Sequence, residues 1–127
     1  MGGLNRKPGL TTTEILSSVG SQGGVRSLYV MGENPMMSEP NLNATREHVE
    51  QLEFLAVQDL FINETGAYAD IILPACTSFE RWDIGEFAHA GGYVTHSFLM
   101  CNHRLMCMQH KCIEPLGESK SDYDIFL

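Results

Sequence analysis

Basic residues are scarce in this chain of 127: eight Lys and Arg stand against sixteen Asp and Glu, for a net charge of −8. Neutralising nucleic-acid phosphates takes a basic footprint, so the composition excludes a nucleic-acid partner. A phosphate-bearing ligand would instead have to be held by backbone N–H groups and a helix start. No apolar run approaches ~20 residues, so direct membrane insertion is not expected. Residues 1–13 are polar and lack the apolar stretch of a secretory leader. Met1-Gly2-Gly3-Leu4-Asn5-Arg6 puts Arg6 where an acylation motif wants Ser or Thr. Four cysteines without a leader read as reduced thiols, which sets the expectation of a cytoplasmic chain. No Ser-His-Asp or Cys-His arrangement is legible, and the five histidines are scattered. Nothing in the chain reads as catalytic by itself.

Apolar residues make up 43% and charged residues 19%, enough for a packed core in one domain. Thr11 with Glu14 fits a capping box before Ile15, Leu16 and Val19, and that helix should stop at Gly20. Val25–Met31 reads as a strand that ends abruptly at Gly32-Glu33-Asn34-Pro35. A second helix is predicted from Asn41 or Asn43 to Gln51, with Leu42, Val49 and Leu52 at helical spacing. Phe54-Leu55-Ala56-Val57 is a continuous apolar run, as in a strand buried on both faces, and it ends at Gln58-Asp59. A helical turn over Glu64–Ala69 precedes a third buried strand, Ile71-Ile72-Leu73. This alternation predicts a Rossmann-like, three-layer α/β fold with a mainly parallel sheet and right-handed crossovers. Beyond Pro74, Gly85–Gly92 is loop-like, and Tyr93–His96 and Leu105–Gln109 read as short strands. Ser119 with Asp122 reads as a second capping box, and the helix it opens has barely one turn before Leu127, so the expectation is a domain truncated within its final helix.

In an open parallel sheet, ligands bind where strands end at the carboxyl edge. Gly32 permits close backbone approach, Asn34 offers an amide, and the loop feeds a helix start suited to a pyrophosphate. Asp59 lies at the end of the neighbouring strand, where dinucleotide-binding folds place a carboxylate for ribose hydroxyls. The full G-x-G-x-x-G run is missing, and a tight turn at Gly32–Pro35 with Asp59 as a helix cap stands as the alternative. Asp122 can accept in parallel from the N–H edge of guanine, or serve as an ordinary helix cap. The run Cys101 to Cys112 holds three thiols and two imidazoles, but its spacings do not form paired knuckles, and a half-buried strand competes with a small zinc site. Glu80-Arg81-Trp82-Asp83 reads as a salt-bridged loop anchor rather than a catalytic dyad.

The segments Leu28–Pro35, Leu52–Asp59 and Ala69–Pro74, followed by Glu80–Ile84 and Ser121–Phe126, resemble the molybdopterin oxidoreductases of the dimethyl sulfoxide reductase family. The match runs from about Pro8 to the C-terminus. The resemblance implies that residues 1–127 are the third, Rossmann-like domain of a large catalytic subunit, binding one of two molybdopterin guanine dinucleotides. Matching positions would place Gly32, Glu33, Asn34, Gln58, Asp59 and Asp122 around the guanosine and its phosphates, with Thr77 a further candidate after the third strand. The family's [4Fe-4S] cysteines and the ligand to its molybdenum or tungsten have no counterpart here, so no catalytic or metal-ligating residue is assigned and no turnover is expected of this chain alone. Implied partners are the remaining domains of the subunit and an iron–sulfur electron-transfer subunit; the parent enzyme could be exported or membrane-associated. A free-standing Rossmann-like nucleotide binder is the competing reading.

Overall fold

The structure is a computed structural model that describes residues 8–85 and 107–127. Helix α1 (Thr12–Ser18) begins where the sequence predicts. The Thr11 hydroxyl accepts from the Glu14 N–H at 3.4 Å, and the Glu14 carboxylate accepts from the Thr11 N–H at 2.8 Å. The helix ends before Gly20, where Val19 turns extended at φ −60° and ψ 136°, and the Ser18 hydroxyl accepts from the Val25 N–H at 3.2 Å. Gly20 follows at φ +78°, a conformation that costs glycine little.

Strand β1 (Ser27–Met31) runs parallel to β2 (Phe54–Asp59), with Ser27 beside Phe54 and Met31 beside Gln58. With β3 (Ile71–Pro74) they form a three-stranded sheet in the order β1-β2-β3. This is the expected α/β, Rossmann-like, mainly parallel arrangement. β2 is the central strand, and Leu55, Ala56 and Val57 of the predicted buried run are buried, whereas Phe54, at the strand's start, is exposed. β3 differs from the expectation of a third buried strand, since Ile71 and Ile72 are both exposed. It lies at the sheet edge, and an apolar run cannot by itself tell an edge strand from a central one.

Two helices connect β1 to β2. Helix α3 (Leu42–Glu50) starts at Asn41, one of the two predicted positions, whose side chain accepts from the Ala44 N–H at 3.4 Å. The four-residue helix α2 (Pro35–Ser38) has no counterpart in the sequence reading, although Pro35 at its first position is a common helix start. Met36 from α2 and Val49 from α3 join Val30, Leu55 and Val57 in one core, with Leu28, Leu52 and Ala69 packed around it. Each such side chain, fully buried, contributes about 1.5–3 kcal/mol relative to exposure.

The chain divides into two compact units between Ile72 and Leu73. In the second unit β4 (Asp83–Gly85) and β5 (Cys107–Gln109) pair antiparallel, Asp83 beside Gln109. β5 coincides with the end of the predicted strand over Leu105–Gln109. The predicted loop after Gly85 and the strand over Tyr93–His96 lie outside the described residues. Ala75 bridges Lys120 in parallel, and the Cys76 N–H donates to the Lys120 carbonyl at 2.8 Å. Helix α4 (Asp122–Phe126) is capped by Ser121, not by Ser119. The Ser119 hydroxyl is spent on the Leu116 carbonyl at 2.8 Å, whereas Ser121 Oγ accepts from the Asp124 N–H at 3.1 Å. Among the described residues no helix is long and apolar enough to cross a membrane.

Candidate functional site

The loop after β1 is shaped from beneath by the end of β2. Gly32 adopts φ +62°, and its N–H donates to the Gln58 carbonyl at 2.9 Å, extending the sheet pairing by one bond into the loop. A Cβ at Gly32 would meet nothing within 4 Å, so the space over this residue is open. The Gln58 side chain is 1% exposed and accepts from the Tyr29 hydroxyl through Oε1. Gln58 therefore supports the loop from inside the sheet.

Asn34 is the pivot of this loop. Its Oδ1 accepts from the Thr65 hydroxyl at 2.7 Å and from the Thr65 N–H at 3.3 Å, and its Nδ2 donates to Glu64 Oε2 at 2.6 Å. That amide and the backbone N–H of Glu64 itself hold the Glu64 carboxyl below its usual range, so it stays charged. Thr65 is 1% exposed, and its Oγ1 also accepts from the Met36 N–H at 3.2 Å.

At the start of α2, a helix the sequence reading did not foresee, the backbone donors are already spent. Pro35 has no N–H, the Met36 N–H goes to Thr65, and the N–H groups of Met37 and Ser38 return to the Asn34 carbonyl at 2.9 and 3.0 Å. The open donors lie one step earlier: the N–H groups of Glu33 and Asn34 have no hydrogen-bond partner among the described residues. Glu33 itself is exposed. Backbone N–H groups without a protein partner are donors that an anion could accept from.

Asp59 closes the end of β2. Its Oδ1 accepts from the Leu60 N–H at 2.6 Å and its Oδ2 from Asn63 Nδ2 at 2.8 Å. Each carboxylate oxygen retains a further lone pair, so Asp59 can still accept from a hydroxyl. Within the first unit the structure thus brings Gly32, Glu33, Asn34, Gln58 and Asp59 to one end of the β1–β2 pair. The sequence reading did not single out Asn63, Glu64 and Thr65, although they hold this end together. Their only advance signal is a polar triplet between two strand-like runs.

In the second unit, Thr77 caps a single 3-10 turn over Ser78–Glu80. Glu80 Oε2 accepts from the Thr77 N–H and hydroxyl at 2.7 and 2.8 Å, and Oε1 accepts from the Leu116 N–H at 2.9 Å. The Thr77 donors foremost, then Leu116, hold this buried carboxyl below its ordinary range. Arg81 donates to the Cys76 carbonyl at 3.1 Å and pairs with Asp122 at 3.4 Å. Glu80 and Arg81 therefore act as the loop anchor the sequence suggests, with Asp122 as the partner it did not identify. Cys76 is fully buried, and burial pushes its thiol up.

Among the described residues no cluster of three or more His, Cys, Asp or Glu could hold a metal ion. Half of the Cys101–Cys112 run, residues 101–106, lies outside the described residues. At its end Cys112 is exposed, with its thiol donating to the His110 carbonyl at 3.5 Å.

A model of the molybdopterin oxidoreductase family matches residues 4–127. The large subunit of pyrogallol hydroxytransferase from Pelobacter acidigallici is 49% identical over 90 residues, which cover 71% of this chain and 10% of that protein. The alpha subunit of the F420-dependent formate dehydrogenase of Methanocaldococcus jannaschii is 33% identical over 122 residues, 96% of this chain and 16% of that protein. Among solved structures, acetylene hydratase from Pelobacter acetylenicus superposes with a TM-score of 0.68 at 18% identity, over 88% of this chain and 14% of its own. That likeness shows the fold. The chain spans only 10% to 16% of the length of these relatives.

Proposed function

This chain belongs to the molybdopterin oxidoreductase family, and we propose that it holds the guanosine diphosphate part of one molybdopterin guanine dinucleotide within a larger molybdenum or tungsten enzyme. The observation that carries this reading is the loop Gly32–Asn34, with two open N–H groups at the carboxyl end of β1 and unobstructed space over Gly32. The N–H groups of Glu33 and Asn34 would donate to phosphate oxygens, and Gly32 would let them approach the backbone. Asp59 would accept from ribose hydroxyls, and Gln58 would keep the loop in register. In the second unit, Thr77 and Asp122 are proposed contacts, Asp122 through the guanine N–H edge. Residues 1–127 would then serve as one cofactor-binding domain. When bound, the pterin end of the cofactor carries the metal that exchanges electrons. The small share of its relatives that the chain spans supports other domains of the same subunit as its partners; an electron-transfer subunit is a further proposed partner.

Titration with guanosine diphosphate, followed by amide chemical shifts, tests the reading. Shifts confined to Gly32, Glu33, Asn34, Asp59 and Asp122, with adenosine diphosphate weaker, are the expected result. Equal or stronger binding of adenosine diphosphate, or no shifts up to about 1 mM ligand, overturns it.

A further inference from the structure

The loop that follows β2 is built inside out. Three of its polar side chains brace the loop itself: Asp59 accepts from the Leu60 N–H and the Asn63 amide, Asn63 Oδ1 accepts from the Gly66 N–H at 2.8 Å, and Thr65 is bonded to Asn34. Its apolar side chains face outward, with Leu60, Phe61 and Ile62 exposed by 48%, 77% and 73%. A slack loop would fold such groups back onto the protein. This backbone is held, since the N–H groups of Ala67 and Tyr68 also return to Asn63 and Thr65 at 3.0 and 3.1 Å. Single exposed apolar residues are ordinary on a protein surface, but three in succession on a pinned loop mark a contact. Such pinning also lowers the entropy lost on docking.

We infer that Leu60, Phe61 and Ile62 form a preorganised plug that seats in an apolar pocket with a basic rim, on another part of the same large subunit. The inference rests on the reading of this chain as part of such a subunit. Two observations choose this occupant. At least 84% of each relative's length lies outside the matched region, so ample polypeptide is available to cover the loop. The charged Glu64 next to the plug, on a chain of net charge −8, calls for basic groups around the pocket.

Thiol alkylation at Ile62→Cys, with Phe61→Cys as an independent second probe, tests the seat. Rates at the introduced cysteine are mapped by peptide mass spectrometry, in this chain and in the complete subunit. The expected result is fast labelling of this chain at every concentration and labelling slowed at least about tenfold in the complete subunit. Equal rates in the two overturn the inference. So does protection that appears in this chain as its concentration rises, which would assign the plug to a second copy. Pterin and guanine content of the same subunit preparation is measured separately. Protection of the Ile62→Cys thiol in a subunit without guanine dinucleotide would sink the cofactor reading and leave the seat standing.

Discussion

Asn34 and Thr65, 31 residues apart in the chain, are joined twice: the Thr65 hydroxyl and the Thr65 N–H both donate to Asn34 Oδ1. This pair ties the loop after β1 to the loop after β2, so the two strand ends that read as ligand-binding in the sequence behave as one piece. It also explains why the Asn34 side chain serves the loop's shape, leaving the loop's backbone to face outward.

Thr65→Val tests that link. The substitution keeps the shape but removes a hydroxyl that serves Asn34 and the Met36 N–H in a buried position. Leaving buried polar groups unpaired costs about 1–3 kcal/mol. The urea midpoint of unfolding should fall accordingly, with an unchanged m-value, and amide exchange should quicken at Met36.

Gly32→Ala separates backbone strain from space. No atom blocks a Cβ there, so the penalty is that of a left-handed alanine, about 1 kcal/mol. Gly32→Val should cost more, because a branched Cβ fits that region worse. If Ala and Val prove equally mild in urea unfolding, the loop does not hold φ +62° in solution.

Glu80 gives the second unit a pH dependence of definite sign. Its carboxyl is held low in the folded state by Thr77 and Leu116, so its contribution is complete above the ordinary carboxylate range and lost as pH falls through the folded value. Wild-type stability should drop on acidification, and Glu80→Gln should flatten that drop while lowering stability near neutrality. Trp82, the chain's only tryptophan and two residues away, is the fluorescence probe.

Arg26 and Glu53 offer a contrasting case. They form a two-pronged ion pair across the start of β1 and β2, at 2.6 and 2.5 Å, but both are solvent-exposed. Water and salt screen such pairs, so Glu53→Gln should leave the unfolding midpoint near that of the wild type. A large loss that persists in high salt would contradict this.

Much of this layout was legible from local chemistry. Thr11 and Glu14 announced α1, Asn41 or Asn43 announced α3, and the unbroken apolar run Phe54–Val57 announced a buried strand, because caps and periodicity act over a few residues. The ends of β1 and β2 were likewise marked by Gly32 and Asp59. What was not legible depended on partners far along the chain. Ile71 and Ile72 have the composition of a buried strand but lie at the sheet edge, and position within a sheet is set by neighbours. Ser119 looked like a cap until its hydroxyl was committed to Leu116, which passed the role to Ser121.

The sequence by itself determined the α/β alternation, the family resemblance and where β1 and β2 end. Hydrophobic period, capping residues and motif order are properties of neighbouring residues. Only the tertiary structure decided which groups at those ends remain open. Met36 gave its N–H to Thr65 and Asn34 gave its side chain to Thr65 and Glu64, while the backbone N–H groups of Glu33 and Asn34 have no hydrogen-bond partner among the described residues. A hydrogen-bond donor can be spent only once, and where it is spent depends on what folding brings beside it.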